Sequence, residues 1–511
     1  MNNNIIDVLV VGAGPSGTAL AIDLVRRGLN IRIIDKAAKS FDGSRAKGVQ
    51  PRTLEVLQDL GALKDVLAAG CDYPLLGIHI GPLTIPWRMM STDKPKSDIP
   101  FPNTLLIPQF RTDAALHACL NELGKQVEFD TQLIEISQDN DAATAILSAP
   151  EGTETVTARY VVGADGGSSA IRQKLGIAFT GSTHEEDRMI IVDAVTTGLS
   201  RKRWHIWPGS SGQFIAACPL PNSELFQWMI RLSPEEQPKL DLPDLNERIQ
   251  KRLRSSKVLM HSIRWKSVFR PNIRLAEQYR VGRIFLAGDA AHVHTPAGAQ
   301  GLNTGIQDAY NLGWKLGQVL AGASEELLNS YEAERQPIAA TVLAISTKKY
   351  EGIAKRDPAS IRRGKDEKQL AISYRGGVLA PEGSAVTTTL AVGDRAPDAV
   401  LETLNGQPLR LFDAFAGPHF TLIAVGDSAA KEALRIKRPT AGAQLKRVLI
   451  DTPASFSAEL SLKDAKGTLR KAYGLSSDTL VLVRPDGYIA HIATRNMADS
   501  TQLVINRMAP L

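Results

Sequence analysis

At 511 residues, with 43% hydrophobic and 22% charged residues, the chain has the composition of two to four globular domains with substantial cores. Its net charge of +6 comes without a long Lys/Arg run, which argues against a nucleic-acid-binding arm. The three cysteines are widely spaced, which argues against a disulfide framework, a cysteine-based zinc site or a thiol redox centre and is typical of the cytoplasm. Asp7 and Asp23 interrupt the apolar stretch of residues 5–25, so we expect neither a membrane span nor a secretion signal there.

The N-terminal segment predicts a βαβ unit. Residues 8–11 are a β-branched run typical of a buried strand, and residues 19–27 have helical character up to Gly28, a natural helix end. Residues 31–34 predict a second strand that ends at Asp35. At that position a carboxylate can accept hydrogen bonds from ribose hydroxyls.

The turn between the first strand and the helix reads Gly-Ala-Gly-Pro-Ser-Gly, a GxGxxG dinucleotide motif. Gly12 permits the tight turn, Gly14 lets the backbone approach a pyrophosphate, and Gly17 allows close helix–strand packing. The motif alone does not distinguish FAD from NAD. The other candidate cofactor-binding residues of this unit are Pro15, Ser16 and Lys36.

The rest of the chain changes character several times. Residues 127–165 predict strands and turns, residues 187–270 are strand-rich and aromatic, and residues 306–350 predict helices. Residues 351–387 are polar and charged and are interpreted as a connector. Residues 388–511 have a different composition, with three apolar runs typical of buried strands.

A second glycine-rich region favours a flavin. An apolar strand leads to Gly288-Asp289, where Asp289 can hydrogen-bond the ribityl or ribose hydroxyls of an extended dinucleotide. Residues 296–303 form a turn that opens a helix near Thr304. Backbone N–H groups at that helix start would stabilise negative charge on a reduced flavin ring. The candidate cofactor-binding residues of this turn are Pro296, Gly301, Leu302 and Asn303.

In this order, these motifs resemble those of the flavoprotein aromatic hydroxylases, the single-component class related to p-hydroxybenzoate hydroxylase and phenol hydroxylase. The resemblance covers residues 5–350, and its middle motif, which serves both FAD and NAD(P)H in the family, is matched by residues 163–166. Asp113 stands where a glutamate is commoner in the family. The residues that inherit a cofactor-binding role from the resemblance are Arg45, Gln109, Asp165 and Arg172. The simpler alternatives are a surface arginine at Arg45 and a turn-closing ion pair between Asp165 and Arg172.

The resemblance implies an α/β fold in which a Rossmann-type FAD-binding domain is interwoven with a β-sheet substrate domain, followed by a thioredoxin-like α/β domain. The expected FAD-binding domain comprises residues 1–75, 100–185 and 275–350, the substrate sheet residues 76–99 and 186–274, the connector residues 351–387, and the thioredoxin-like domain residues 388–511. No cysteine follows Cys218, so thiol–disulfide chemistry is excluded in the last domain. We expect a structural or dimer-stabilising role for it, and a homodimer remains open.

The chain has a single GxGxxG motif, and therefore no second domain to hold NAD(P)H permanently. The family uses NADPH or NADH as a transient co-substrate that reduces FAD. O2 then reacts with the flavin, and a C4a-hydroperoxyflavin transfers one oxygen atom to a small, electron-rich aromatic substrate. The resemblance thus implies an NAD(P)H- and O2-dependent monooxygenase that hydroxylates a phenolic ring.

Substrate-binding and catalytic residues are harder to assign. Phenol hydroxylase-like members carry a carboxylate where this chain has Lys47, so no catalytic base is transferred. Lys47, Arg203 and His205 are candidates for holding a phenolate or carboxylate. Strand alternation puts Trp204 on one face and His205 on the other, but the sequence does not reveal which face meets the flavin.

Three other functions remain open. The same chemistry could act on a polyketide-like or antibiotic substrate, in its tailoring or its inactivation. A flavin halogenase or dehydrogenase is less favoured, because the stretch Trp204-His205-Ile206-Trp207-Pro208 lacks the WxWxIP spacing of halogenases. A module that only binds aromatics is the third. His292 and His294 have the spacing of a metal-binding pair but no accompanying ligand cluster, so we expect no metal site.

Overall fold

A computed structural model describes residues 5–209, 213–295, 298–354, 362–453 and 455–510. The strands are β1 (Ile6–Val11), β2 (Ile31–Ile34), β3 (Gly48–Val49), β4 (Cys71–Asp72), β5 (Leu75–Ile80), β6 (Leu83–Trp87), β7 (Leu105–Leu106), β8 (Gln132–Gln138), β9 (Ala143–Ala149), β10 (Gly152–Gly163), β11 (Phe179–Thr183), β12 (Met189–Thr197), β13 (Arg203–Trp207), β14 (Ile215–Pro219), β15 (Leu225–Arg231), β16 (Leu259–Phe269), β17 (Asn272–Ala276), β18 (Arg280–Val281), β19 (Ile284–Leu286), β20 (His292–Val293), β21 (Val400–Thr403), β22 (Pro408–Arg410), β23 (Phe420–Val425), β24 (Leu445–Ile450), β25 (Leu460–Lys463), β26 (Thr479–Val483) and β27 (Ile489–Ala493).

The helices are α1 (Pro15–Val25), α2 (Pro51–Leu60), α3 (Leu63–Ala69), α4 (Gln109–Glu122), α5 (Ala170–Lys174), α6 (Leu242–Leu253), α7 (Gly301–Leu320), α8 (Glu326–Ala354), α9 (Leu411–Phe415), α10 (Asp427–Arg435), α11 (Thr468–Tyr473) and α12 (Met497–Met508). No helix in the described ranges is long and apolar enough to cross a membrane. The helix α6 was not predicted from the sequence, because its charged, strongly amphipathic pattern lies within a strand-rich region.

The first sheet has a parallel core built from the predicted βαβ unit. β1 lies between β2 and β10, and β10 pairs in turn with β19, all in parallel register. The paired parts of these strands are mostly buried and apolar, as expected for a parallel sheet covered on both faces. α1 connects β1 to β2 and packs against α7. This arrangement confirms the expected Rossmann-type architecture.

The second sheet lies beside the first and is called the substrate sheet. It has seven strands in the order β16-β12-β15-β14-β13-β5-β6. The two segments that were expected to form it, residues 76–99 and 186–274, meet where β5 pairs in parallel with β13. One face of the sheet packs on α6 around Trp228, and the other face points toward the first domain.

The C-terminal unit has the expected thioredoxin-like topology. β23 and β24 are parallel and joined by α10, β26 pairs antiparallel with β23, and β27 returns as a hairpin before α12. This gives the strand order β24-β23-β26-β27 in one half of a seven-stranded sheet, with β27 at its edge. The fold is thus α/β throughout, with a β-rich middle.

A buried ionic network joins the C-terminal unit to the first domain. Arg484, at the end of β26, donates to both oxygens of Glu334 on α8, at 2.6 and 3.0 Å. Lys315 and Asn311 on α7 donate to the same carboxylate, each at 2.8 Å. Burial alone would raise the pKa of Glu334, but Arg484 and Lys315 hold it at about 2. One buried cluster of charged side chains therefore joins the two units.

We expect Glu334→Gln to destabilise the protein by about 3–5 kcal/mol, because it leaves buried cations without their counter-charge. Since the folded pKa lies below the unfolded value of 4.5, this network contributes stability above pH 4.5 that is lost as the pH falls toward 2. Urea denaturation of the two proteins across pH 2 to 7 measures this, and their stabilities should converge in acid. The matched control is Glu185→Gln in the exposed pair with Arg270, with an expected change below about 1 kcal/mol. Equal effects of both variants would contradict the prediction.

Candidate active site

The four predicted motif segments meet at one edge of the first sheet. In register, Val11 pairs with both Gly163 and Ile34, and Gly163 pairs with Leu286. The segments that follow these four residues are therefore neighbours at the carboxyl edge of the parallel strands. Ligands of open α/β sheets bind at this edge.

The glycines of the first turn have different structural roles. Gly12 has φ +107°, and a Cβ there would lie less than 3.0 Å from the Ala164 carbonyl oxygen. A Cβ at Gly17 would collide in the same way with the Gly12 carbonyl oxygen. At Gly14 a Cβ would meet nothing within 4 Å, and the backbone φ of −71° suits any residue. Packing thus requires Gly12 and Gly17, whereas Gly14 borders open space at the start of α1.

Asp35 is partly used within the protein. Its Oδ2 accepts from the Ala13 backbone N–H at 2.8 Å, and its Oδ1 accepts from the Ala37 N–H at 2.9 Å. Through these two bonds the carboxylate stabilises the glycine turn. Asp35 remains partly exposed, and the neighbouring Lys36 is exposed.

The first and third motifs interlock around Ser16. A Cβ at either Gly288 or Gly305 would lie less than 3.0 Å from Ser16 Oγ. Gly288 also has φ +63°, so this position requires glycine for two reasons. The start of α1 and the first turns of α7 therefore form one continuous surface.

Asp289 and Arg45 face a common space beside this surface. Both residues are exposed. Desolvation raises the pKa of Asp289, and the nearby charges of His292 and Arg45 oppose that rise. Arg45 also lies 5.2 Å above the Phe41 ring. The charge of Arg45 thus acts on the Asp289 carboxylate, as expected of a residue beside the predicted cofactor site.

Asp165 and Arg172 do not form the turn-closing ion pair considered above. Asp165 Oδ2 accepts from the backbone N–H of Ala170 at 2.7 Å, whereas its Oδ1 is buried without a partner in the described ranges. Arg172 donates to the carbonyl oxygens of Ala290 at 2.7 Å and Gly167 at 2.8 Å. Arg172 thus ties the loop after β10 to the Asp289 segment, and Asp165 Oδ1 remains available to a ligand.

The turn before α7 exposes the start of that helix. Gly298 and Ala299 both have positive φ, +105° and +55°, which folds the backbone back on itself before Gly301. Among the described residues no side chain caps the helix, so its first N–H groups can meet an anionic group. Leu302 packs partly on the core. Pro296 lies outside the described residues.

The Asn303 side chain positions this turn. It accepts from the Gln50 N–H at 2.7 Å and donates to the carbonyl oxygens of Gly48 and Ala299 at 2.8 and 2.7 Å. The segment that carries Arg45 and Lys47 is thereby fixed against the start of α7. In this structure the side chain of Asn303 therefore acts on the protein backbone.

Gln109 and Asp113 lie on α4 beside the same segment. Gln109 Oε1 accepts from the Ala46 N–H at 3.3 Å, and Gln109 Nε2 donates to Asp113 at 3.4 Å. Burial raises the pKa of Asp113 to about 8, and its Oδ1 has no partner within the described chain. Asp113 is therefore a protonated group near neutral pH, able to donate a hydrogen bond.

The His292 ring is engaged with a carboxylate of the protein. His292 Nε2 contacts Asp308 at 2.6 Å, and Asp308 is also paired with Arg335 at 2.7 Å. Burial lowers the pKa of His294 to about 3. Across the described ranges, no group of three or more His, Cys, Asp or Glu side chains could hold a metal ion.

Lys47 lies between the first domain and the substrate sheet. Its Nζ donates to Gln227 Oε1, approaches Met229 Sδ at 3.9 Å and lies 4.4 Å above the Trp204 ring. These three partners stand on the face of the sheet that points to the motif edge. The face of β13 that carries Trp204 is therefore the one turned to the flavin-binding edge, which the sequence left open.

Arg203 and His205 lie on the opposite face of the sheet. His205 hydrogen-bonds His79 at 2.8 Å and the Ser200 carbonyl oxygen at 2.7 Å, and its ring stacks with Trp207. The Arg203 side chain lies over Gly77 on the same face. Strand alternation therefore removes both from the candidates for substrate contact and leaves Lys47.

Several groups near Lys47 were not predicted. Gln227 links Lys47 to Ser44, and Ser44 donates from both its N–H and its hydroxyl to Asp193. Tyr73 donates to the Lys47 carbonyl oxygen at 2.9 Å. The sequence offered one signal for these groups: Gln227 is a polar residue between apolar neighbours on a predicted strand, which is typical of a residue that contacts a polar site.

These features fit an extended dinucleotide. The first turn has room at Gly14, Asp289 offers an exposed carboxylate, Asp165 Oδ1 is buried without a partner in the described part of the chain, and α7 begins uncapped. Together these groups are the types of partner that the pyrophosphate, the hydroxyls and the ring oxygen of FAD require.

We expect Gly14→Ala and Gly17→Ala to separate binding from folding. Gly14→Ala should leave the unfolding of the apoprotein unchanged within about 1 kcal/mol, yet weaken FAD binding at least about tenfold by crowding the pyrophosphate position. Gly17→Ala should lose both FAD and stability, because its Cβ meets backbone. FAD fluorescence titration and thermal unfolding measure the two effects. Unchanged FAD affinity in Gly14→Ala would refute this role.

Comparison with known proteins agrees with this site. Residues 5–346 match the family described as FAD binding domain, and residues 393–506 match the HcaD C-terminal domain. A flavin-dependent monooxygenase of Mycobacteroides abscessus is 39% identical over 94% of this chain and 96% of its own length. Pentachlorophenol 4-monooxygenase of Sphingobium chlorophenolicum is 30% identical, covering 98% and 96%.

A solved structure extends the match. The anhydrotetracycline hydroxylase OxyS of Streptomyces rimosus superposes with a TM-score of 0.75 at 31% identity, over 98% of this chain and 99% of that one. The family match spans the substrate sheet and all the flavin motifs, and both curated relatives align along nearly their whole length. The chain therefore belongs to the FAD-binding family of aromatic hydroxylases and is a FAD-dependent monooxygenase with NAD(P)H as its donor.

Proposed function

We propose that the protein hydroxylates a phenolic ring held between the substrate sheet and the flavin-binding edge. In the balanced reaction one atom of O2 replaces a ring hydrogen as hydroxyl and the other leaves as water, while NAD(P)H and one proton supply the reducing equivalents. The chemistry that FAD supplies when bound is hydride acceptance and O2 activation. The observation that carries this proposal is the placement of Lys47 and Trp204 on the sheet face turned to the motif edge.

We assign the chain's residues to three tasks. The turn of residues 12–17 would hold the pyrophosphate, and the N–H groups at the start of α7 would bind the flavin ring oxygen and stabilise its negative charge. The side chains assigned to the remainder of the dinucleotide or to orienting its loops are Asp35, Lys36, Arg45, Gln109, Asp165, Arg172, Asp289 and Asn303. Lys47 would hold the substrate oxygen against Trp204.

The surroundings of Lys47 also suit water exclusion. Met89 and Leu106 pack with Trp204 and Cys218 in a small buried cluster beside it. Such a lining keeps water from the reacting atoms and strengthens the attraction between a charged Lys47 and an anion. Asp193 has a pKa raised to about 6 by burial but is hydrogen-bonded to Ser44, so we assign it no role as a catalytic base.

A polycyclic, polyketide-like substrate is the second candidate. Met229 and Met90 border the same space, and flexible methionines adapt to large ring systems. The similarity to the anhydrotetracycline hydroxylase along the whole chain supports this candidate. Cytoplasmic location and a homodimer remain predictions from the sequence.

We expect the purified protein to be yellow, and to oxidise NADH or NADPH faster when an accepted phenol or polycyclic quinone is added. Incubation with 18O2 should place one labelled oxygen atom in each product molecule, detected by mass spectrometry, because the inserted atom comes from O2. Reactions in H2 18O with ordinary O2 provide the control and should give unlabelled product. Label from water, or no product across both compound classes, would refute the proposal.

A further inference from the structure

Arg363 reaches the substrate space from outside both domains. It belongs to the polar stretch after α8 that was interpreted as a connector, yet its N–H donates to the Met89 carbonyl oxygen at 3.0 Å, next to the substrate sheet. A Cβ on Gly298, in the turn before α7, would lie 3.4 Å from Arg363 Nη1. The guanidinium therefore lies between the substrate sheet and the flavin-side turn.

The connector is fixed in this position by contacts with α7. Gln300 donates to the Glu367 carbonyl oxygen at 3.2 Å, and Gln369 donates to Gln300 at 2.5 Å. Gln307 also donates a hydrogen bond to Gln369, at 2.6 Å. The stretch that carries Arg363 is thus part of the wall around the substrate space.

The guanidinium has an unused donor. Nη1 of Arg363 is buried and has no hydrogen-bond partner in the ranges that the structure describes. Glu367 is the nearby carboxylate that acts on Arg363, but it is paired with Lys349 and accepts from the Gly364 N–H. Leaving a buried charged donor unpaired is costly, so a missing acceptor is indicated.

Lys47, on the substrate-sheet side, also lacks a carboxylate partner in the described ranges. It forms no ion pair within the part of the chain that the structure describes, and its hydrogen bond goes to the neutral amide of Gln227. Asp193 is hydrogen-bonded to Ser44 and influences Lys47 only through its charge. Burial lowers the pKa of Lys47; Cys218 and Asp193 oppose the shift, whereas the charge of Arg363 adds to it. The two cations are therefore close enough to repel each other.

Aromatic rings stand between and beside the two cations. Tyr73 and Trp204 have ring centroids 6.1 Å apart, and the Tyr73 hydroxyl would lie 2.7 Å from a Cβ on Gly48. Lys47, Tyr73 and Arg363 are all only partly buried. Two cations without counter-ions in a space walled by aromatic rings suit a flat anion.

We propose that Arg363 and Lys47 together bind a ring-borne oxyanion of the substrate, a phenolate or an aromatic carboxylate, and that this pair selects anionic aromatic substrates. This inference rests on the proposed function and names the chemical class of its substrate. An anionic oxygen would satisfy Nη1 of Arg363 and the charge of Lys47 at once. A phenolate held in this way also has a more electron-rich ring, which favours electrophilic oxygen transfer.

The test uses the FAD-loaded full-length protein and 4-nitrophenol, whose phenolate absorbs visible light and whose neutral form does not. At a pH slightly below the free ligand's pKa, the difference spectrum should show bound phenolate, because the two cations favour the anion. Arg363→Gln should weaken binding at least about tenfold and reduce this signal, since a charged hydrogen bond is lost. Arg363→Lys should restore part of both. Arg362→Gln, one residue away with an exposed side chain, should behave as wild type.

A second pair of ligands separates carboxylate from phenolate recognition. 4-Methoxybenzoate retains only the carboxylate, and methyl 4-hydroxybenzoate retains only the phenol, so the tighter ligand identifies the group that is bound. FAD content and thermal unfolding of each variant report folding independently of activity. Binding of 4-nitrophenol in its neutral form, equal affinity in Arg363→Gln, or no binding of any of the three ligands would overturn the proposal. Product formed equally well from uncharged aromatics would do so while leaving the monooxygenase function intact.

Discussion

The parallel register of four strands in the first sheet is the constraint on which the site depends. Because Val11, Ile34, Gly163 and Leu286 end at the same level, every flavin motif reaches the same edge. Close packing then holds the motifs together, with Ser16 between Gly288 and Gly305 leaving no room for a side chain at either glycine. A one-residue shift of any strand would separate groups that must act on one ligand.

Much of this edge could be predicted from the sequence, because its physics is local. A β-branched run, a glycine-rich turn and a helix end at Gly28 specify the βαβ unit without long-range information. The order of the motifs then indicated a flavin, and α7 begins at Gly301, three residues before the expected start near Thr304. The resemblance implied the thioredoxin-like unit, and the three buried strands predicted in it are all present.

The substrate side was only partly predictable, because its contacts join residues far apart in the chain. Alternation separated Trp204 from His205, but the pairing of β13 with β5 and β14 was needed to show which face meets the flavin edge. Arg363 was predicted only as part of a polar, charged connector, since nothing local indicates that this connector folds back onto α7. Asn303 was assigned to the cofactor, yet its side chain holds Gln50, a contact between residues 253 positions apart.

The network around Glu334 bears on how the chain can be divided. Arg484 comes from the C-terminal unit, whereas Lys315 and Glu334 come from the two long helices behind the flavin edge. Cutting the chain before residue 388 would leave Glu334 without Arg484 and expose the apolar surface around Trp314, which packs on Phe420. An isolated N-terminal fragment would therefore carry a hydrophobic patch and an altered buried charge. The thioredoxin-like unit, which has no cysteine, thus covers an apolar and a charged surface of the catalytic part.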